Sequence, residues 1–576
     1  MPSQNPNVLV LTADALRADR TSLYGYDRPT SPNLESLGAQ SIILNNAMTL
    51  APFTQAACVQ LFTSSKPLSF GGYDSGAFGR PMTLFERFRQ NGYSTWGLST
   101  IHWVSSYYGY TDGLDTEYSV IHINTLVGMA VVNMRDTLYY FRAGKISEED
   151  MLAHVSPIIE RMFNNIVNYA EKISPLIPKY RQSFPGSKIA NDQYDFLAIK
   201  EVVESHRVRF RSDPLAYISQ ELTNRSRVPE AHEWITRDWY YKRHPKKLVS
   251  EALFRASNKI LRYFDADIVN RREATIRLIP DAHAIADKVI GALKKSNSDQ
   301  PFFVWAHFKD THRPFVSGPG KSWQKHTPRY LGDLGYSPNL DPTLSYQKHY
   351  PENDQERHTL SALYDAAIRS TDEAIGRIIT ALTDMGKIDE TVVAFTGDHG
   401  EEFGEHGDFG HECMAYEHNS RIPMLFKPAK GDFVPKSDNA LVASIDFAPS
   451  ICALAGIPSM PDWEGFAVTS DIVAQRDHIV LETFCRGNCL FEHRPLYLGI
   501  RTKQYKYLWQ EGVDPHHKYG QTGPQLFDLR ADPGEQNNIY NPNHVLVSKF
   551  NEMLVRRLLE IPEVSSERIQ ALKEPK

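Results

Sequence analysis

Along this chain the spacing of apolar positions switches repeatedly between strand-like runs and helical stripes, and the switches mark its elements. Residues 7–12 (NVLVLT) form a short apolar run of strand length, and 94–98, 302–307 and 392–395 repeat it. Runs this short, bounded by turn residues, read as buried strands. Turn signals at Gly25, Gly71-Gly72 and Gly92 punctuate the first of these blocks. Helical spacing takes over in 281–295 and in 361–383, where Leu363, Ala367, Ala374, Ile378 and Leu382 share one face. Strands alternating with helices predict an α/β core with a mostly parallel sheet. The core falls in two parts, residues 1–120 and 281–456. Between them, 121–280 reads as a mostly helical insertion rich in Arg, Lys and Tyr, as in IPKYRQSF and RDWYYKRHPKKL. Its charged faces are either solvated or a substrate-selecting cover over the site. The stretch 318–351, rich in Gly, Pro and Tyr, reads as one long loop. Beyond Gly456, short strand patterns at 478–484, 496–501, 505–509 and 525–529 precede a helix over 545–561 with Leu546, Phe550, Leu554 and Leu558 inward. Residues 457–576 are therefore expected to form a small subdomain around an antiparallel sheet.

Composition narrows the class. The 576 residues are 41% hydrophobic and 23% charged, with a net charge of −6, an ordinary globular balance. A nucleic-acid partner would call for a basic footprint, so none is expected. The most apolar stretch, 126–132, is far too short to span a bilayer, and no transmembrane segment is expected. The chain runs almost at once into its first strand, so no signal peptide is expected. Five scattered cysteines suit a reducing compartment, and Cys485 with Cys489 lacks the second pair a metal knuckle needs. The expected location is the cytoplasm.

Candidate chemistry concentrates in TGDHGEEFGEHGDFGH, residues 396–411, directly after the 392–395 strand. Open α/β sheets bind ligands beyond the carboxyl ends of their strands. Asp398 and His399 offer an oxygen and an imidazole nitrogen to one cation there. Asp14 follows the first strand in the same way, where it is either a helix cap or a third ligand. Thr54, ahead of a helical pattern through Val59 and Phe62, is either an N-cap or a nucleophile. A hydroxyl at a helix N-terminus sits in positive potential that favours its alkoxide and an anionic ester.

These segments, taken in order, resemble the sulfatase-like branch of the alkaline phosphatase superfamily. The resemblance is carried by NVLVLTADALRADRTSLYGY, RPTSPNLESLGAQS, GYSTWGL with YGYTDGLD, PFFVWAHFKDTHRPF, TGDHGEEFGEHG with GHE, YEHNSRIPMLFKP and the C-terminal SIDFAPSICALAGIP, IRTKQYKYL and LFDLRADPGEQNNI. It implies an alkaline-phosphatase-like sheet sandwiched by helices, with metal ligands Asp14, Thr54, Asp398 and His399. It also implies that His312 and His411 contact the transferring group or protonate the leaving oxygen. His102 lies where the family often carries a Lys-x-His pair. His406 is either a ligand-loop or a turn residue, and Glu402 either orients His399 or is solvated. Arg17 and Asp19 are expected to brace Asp14 locally, and Lys503 and Lys506 either reach the substrate or sit exposed on a strand.

The departures from the family redirect the expected chemistry. Sulfatases carry Cys-x-Pro-x-Arg, or a Ser version, whose first residue becomes formylglycine. Here Thr54 occupies that place, with Ala56 and Cys58 at the Pro and Arg positions. Threonine cannot become the aldehyde. It resembles instead the phosphodiesterases and phosphoethanolamine or phosphoglycerol transferases of the superfamily. The expected activity is thus attack on a phosphate mono- or diester, through phospho-Thr54, with water or a hydroxyl on a glycan or lipid head group as acceptor. Two other readings are a sulfate ester hydrolase working without formylglycine and an inactive sugar-binding relative. Ala15 and His399 stand where calcium-type sites have Asp and Asn, so one Mn²⁺ or Zn²⁺ is expected rather than Ca²⁺.

Overall fold

The computed structural model of the chain describes residues 5–573, apart from 102, 106–107, 111–112, 120–122, 174–197, 297–299, 316, 319–322, 348–349, 412, 431–438, 485–494, 513–522 and most of 224–279. His102, Cys485, Cys489 and both basic tracts of the insertion therefore lie outside the described residues. The chain divides into two compact units: Met1–Ser119 with Asp281–Arg486 and Phe491–Lys576, and Val120–Pro280 with Gly487–Leu490.

The first unit is built on a seven-stranded sheet. Its strands are β1 (Asn7–Ala13), β2 (Ile42–Ile43), β3 (Ser94–Ser99), β4 (Thr116–Ser119), β5 (Phe302–Phe308), β6 (Thr391–Gly397) and β7 (Met424–Lys427). Their spatial order is β2-β7-β6-β1-β5-β3-β4. β1 runs parallel to both β5 and β6, β3 parallel to β4 and β5, and β7 antiparallel to β6 and β2. Every residue of β5 and β6 is buried, which is why these strands read as continuous apolar runs rather than alternating ones.

Helices cover both faces. Leu9, Leu11, Val304, Ala306, Val393 and Phe395 face helices α3 (Ala282–Lys295) and α4 (Asp354–Asp384). Asp281 and Asn353 start these helices by accepting the N–H of Ala284 and Glu356. On the opposite face, α1 (Thr54–Thr63) and α2 (Leu84–Gln90) bring Phe62 and Phe85 to within 5.0 and 5.3 Å of the Trp305 ring. Each such ring contributes roughly 1.5–3 kcal/mol by leaving water. A Thr83–Glu86 capping box sets the start of α2.

The C-terminal part is the antiparallel meander β8 (His478–Thr483), β9 (Tyr497–Thr502), β10 (Tyr505–Gln510) and β11 (Gln525–Asp528), joined by α5 (Val545–Leu559). The inward face of α5 is Val547, Phe550, Leu554 and Leu558; Leu546 is only half-buried, one position off the expected stripe. The second unit contains the helices Ile123–Arg142, Glu148–Ile173 and Ala198–Ser212, with Val155, Ile159, Phe163 and Ile166 buried among them.

One expected loop is not a loop. Within 318–351 the chain forms helices Trp323–Asp333 and Leu344–Gln347. Trp323, Tyr330 and Leu331 are buried at helical spacing, and their burial outweighs the Gly and Pro punctuation. Among the described residues no helix is long and apolar enough to cross a membrane.

Candidate active site

The parallel pairing of β1 with β6 aligns Ala13 with Gly397, so Asp14 and Asp398 leave the sheet side by side. Backbone bonds hold both exits: Asp398 N–H donates to the Ala13 carbonyl (3.1 Å) and Asp14 N–H to that of Phe308 (2.9 Å). Gly397 permits the approach, because a Cβ there would stand 2.8 Å from the Leu16 carbonyl oxygen. Ala15 adopts a left-handed φ of 54°, and its N–H donates to Asp398 Oδ1 at 2.9 Å. The His399 N–H donates to the same oxygen at 2.8 Å. Asp398 Oδ2, also buried, has no hydrogen-bond partner. Tyr364 locks the turn, accepting from the Arg17 N–H and donating to the Ala15 carbonyl.

Thr54 is the first residue of α1 and not its cap; Phe53 takes that position without a side-chain bond. The hydroxyl is thereby released from capping. Its Oγ1 lies 2.9 Å from His399 Nε2 and 3.4 Å from Asp14 Oδ1. His399 Nδ1 sits 2.8 Å from the Gly400 carbonyl, which places the ring proton on Nδ1 and leaves the Nε2 lone pair facing Thr54. Nε2 is 3.7 Å from Asp14 and 3.6 Å from Asp398. The four residues expected to be ligands are thus adjacent. Donor atoms of Asp14, Asp398 and His399 all lie within 4.8 Å of one another.

The charges here are unbalanced. Burial, reinforced by Asp14, pushes the Asp398 carboxyl well above its usual range. Burial would raise Asp14 as well, but His312 and then His307 and Lys309 override it and hold that carboxyl low. Burial with His411 nearby drives His399 down to about 3, so it stays neutral. Two abutting carboxyl groups, one orphaned oxygen and an imidazole lone pair shared with the Thr54 hydroxyl are the donor set a divalent cation would satisfy.

His312 and His411 reach the same cluster. The His411 ring centre is 4.1 Å from that of His399 and 5.2 Å from that of His312. His411 Nδ1 faces the Glu401 carboxylate at 3.3 and 3.4 Å. His312 Nδ1 lies 2.6 Å from the Arg313 carbonyl, and burial lowers this imidazole to about 4. Burial raises Glu401 to about 7, with His312 and Arg313 pulling the other way.

Several contributors escape a reading of sequence alone. His307 is buried on β5 with Nδ1 2.8 Å from Thr12 Oγ1 and Nε2 3.9 Å from Asp14 Oδ2. Its one signal is an imidazole inside the apolar run FFVWAHF. Arg17 does pair with Asp19, at 2.7 Å, but it also donates to the Glu401 carbonyl and pairs with Glu405. The brace therefore extends across to the 401–405 loop. Glu402 is neither solvated nor turned toward His399: it is 3% exposed and accepts from the N–H groups of His406 and Asp408. Lys506 is fully buried against Glu417 and Glu535 and is not an exposed strand lysine. Lys503 lines a cavity with Arg421 and Arg501. Cys58 is buried, its thiol pushed up by burial and by Asp398 and Asp14. Cys413 is disulfide-bonded, against the expectation that the scattered cysteines suit a reducing compartment.

Comparison with known proteins bears on the chemistry. Arylsulfatase K of Gallus gallus is 28% identical over 323 residues, covering 50% of this chain and 58% of the relative. The N-acetylglucosamine-6-O-sulfatase of Bacteroides thetaiotaomicron is 28% identical over 184 residues, 31% of each. The chain thus spans under two thirds of the length of these relatives. A solved structure in complex with its substrate D-glucosamine-2-N,6-O-disulfate aligns over 100% of both chains, with a TM-score of 0.54 at 15% identity. A 2-O GAG sulfatase aligns over 100% of this chain and 94% of its own, with a TM-score of 0.52 at 13% identity. At such identities the likeness is one of fold.

These relatives overturn the phosphoester expectation drawn from Thr54. Threonine excludes the formylglycine aldehyde, yet it does not choose between phosphorus and sulfur, because both are tetrahedral centres displaced in line. Residues 404–563 match the segment described as N-sulphoglucosamine sulphohydrolase, C-terminal. Residues 6–165 and 240–457 match the family described as Sulfatase, and the chain belongs to that family.

Proposed function

We propose that this protein hydrolyses sulfate esters of a carbohydrate, with unmodified Thr54 as nucleophile. The observation that carries the reading is the position of Thr54 Oγ1, 2.9 Å from the His399 Nε2 lone pair and 3.4 Å from Asp14. The names of the relatives, an arylsulfatase and an acetylglucosamine sulfatase, support the substrate class. Asp14, Asp398, His399 and Thr54 would hold one divalent cation, of the Mn²⁺ or Zn²⁺ kind because an imidazole is among the donors. When bound, it would supply Lewis acidity that lowers the Thr54 pKa and neutralises the ester.

Thr54 Oγ1, its proton lost to solvent, forms a bond to sulfur as the bond from sulfur to the sugar oxygen breaks. His411, backed by Glu401, donates a proton to the departing oxygen. Water then attacks the sulfur, the bond to Thr54 breaks, sulfate leaves, and the Thr54 oxygen regains from solvent the proton it had lost. His312, its Nδ1 committed to the Arg313 carbonyl, keeps Nε2 as acceptor for the proton of that water.

Parallel assays on aryl sulfate, glucosamine-6-sulfate and aryl phosphate test this. Sulfate release from the wild type and its loss in Thr54→Ala are expected, by about 10³-fold or more as for other nucleophile removals. Undiminished turnover in Thr54→Ala would remove the mechanism, and a clear preference for the phosphate ester would remove the substrate class.

A further inference from the structure

We propose that Glu402, His406 and His418 form a second divalent-cation site, distinct from the Asp14–Asp398–His399 cluster, that takes an ion of the zinc class. One donor atom from each lies within 4.8 Å of the other two. What marks the group is which atoms are already committed. His406 Nε2 donates to the Glu535 carbonyl at 2.9 Å, and this puts the proton on Nε2 and leaves the Nδ1 lone pair. That Nδ1 is buried without a hydrogen-bond partner. His418, 7% exposed, presents a buried Nε2 that is 3.3 Å from Glu402 Oε2 yet not aligned for a hydrogen bond with it. Glu402 Oε1 is occupied by two backbone N–H groups, at 2.8 and 3.0 Å, so only Oε2 turns toward the imidazoles.

Two ligands bound at about 2.0–2.1 Å on a tetrahedral ion stand about 3.4 Å apart, close to the His418–Glu402 separation. Metal-binding histidines as a rule donate their second nitrogen to a carbonyl or carboxylate, as His406 does to Glu535. Glu535 is itself held in a left-handed conformation with φ of 56°, and its carboxylate accepts from the Glu417 N–H and pairs with Lys506. The His406 ring stacks on Tyr416 at 3.7 Å, which fixes its plane. Two imidazoles and one carboxylate leave a fourth position, as at catalytic zinc sites. The cavity of about 490 Å³ that Lys503 lines reaches this group at His418; its walls carry Glu405, Glu417 and Glu535 together with Arg17, Arg421 and Arg501.

The ion would tie the loop that carries Glu401 and His411 to the short helix Glu417–Ser420 that carries His418. This inference does not depend on the reaction proposed above. Its test begins with an Asp14→Asn/Asp398→Asn variant, stripped by chelator and titrated with Zn²⁺ and then Co²⁺. One ion per chain, tetrahedral Co²⁺ absorption bands and a raised melting temperature are expected, all lost when His406→Ala and His418→Ala are added. No binding by the parent variant, or binding unchanged after both histidines go, would overturn the site and leave a His418–Glu402 ion-pair contact only. Zinc-edge X-ray absorption on the wild type, where no substitution disturbs folding, is expected to count more than one imidazole per ion on average. A single ion with a single imidazole would equally overturn it.

Discussion

Thr54, Asp14, Asp398 and His399 could be read from the sequence because each stands next to a recognisable boundary, the end of an apolar strand or the start of a helix. Their partners could not. Glu401 looks like its acidic neighbours until folding sets it against His411, and His307 is one polar residue in an apolar run until β1 brings Thr12 and Asp14 beside it. The position of His307 makes it a positioning residue for Asp14. His307→Leu is expected to weaken cation binding by about 10–100-fold, the usual cost of a lost supporting partner, and calorimetric titration would measure it. The Thr54 hydroxyl faces His399 and Asp14 instead of capping α1. Thr54→Ala should therefore leave the melting temperature within a degree or two of the wild type. A lost N-cap would instead cost about 1 kcal/mol.

At the level of elements, the α/β alternation and the C-terminal meander followed from periodicity, since burial on two faces and on one face leave different apolar patterns. Helix Trp323–Asp333 did not, because its buried positions are interleaved with Gly and Pro signals that dominate a local reading. The 396–411 segment shows a second limit: its glycines look like loop punctuation but serve close approach. A Cβ at Gly400 would fall 1.8 Å from the His418 carbonyl oxygen. Gly400→Ala must displace backbone, so it is expected to cost about 1–3 kcal/mol and to lower turnover by shifting His399. Thermal melts and kinetics on the same preparation check both.

Across the first unit, long-range ion pairs fasten the C-terminal helix to the body that carries Thr54. Arg557 on α5 grips Glu482 on β8 through Nε at 2.6 Å and Nη2 at 2.9 Å, while the Leu68 N–H donates to the same carboxylate. Burial alone would raise Glu482, but Arg557 overrides it and holds the carboxyl below its usual range. A depressed carboxyl contributes stability that is complete above its unfolded pKa of about 4.3 and fades as pH falls through the lower folded value. Acid titration of the wild type should therefore show a loss of stability below about pH 4 that Glu482→Gln lacks. At neutral pH Glu482→Ala leaves the buried Arg557 with only Glu560 and Ser69 as partners, and a loss of about 3 kcal/mol is expected from denaturant unfolding. None of this was visible in sequence, where Glu482 and Arg557 are ordinary charges 75 residues apart.

The threonine at position 54 also bears on how the protein comes to life. Sulfatases whose motif starts with Cys or Ser depend on conversion of that residue to formylglycine. With Thr54 as the proposed nucleophile, used as translated, that dependency falls away. On the mechanism proposed above residue 54 needs no oxidation, so material from a host lacking the formylglycine-forming machinery should match, molecule for molecule, that from a host possessing it.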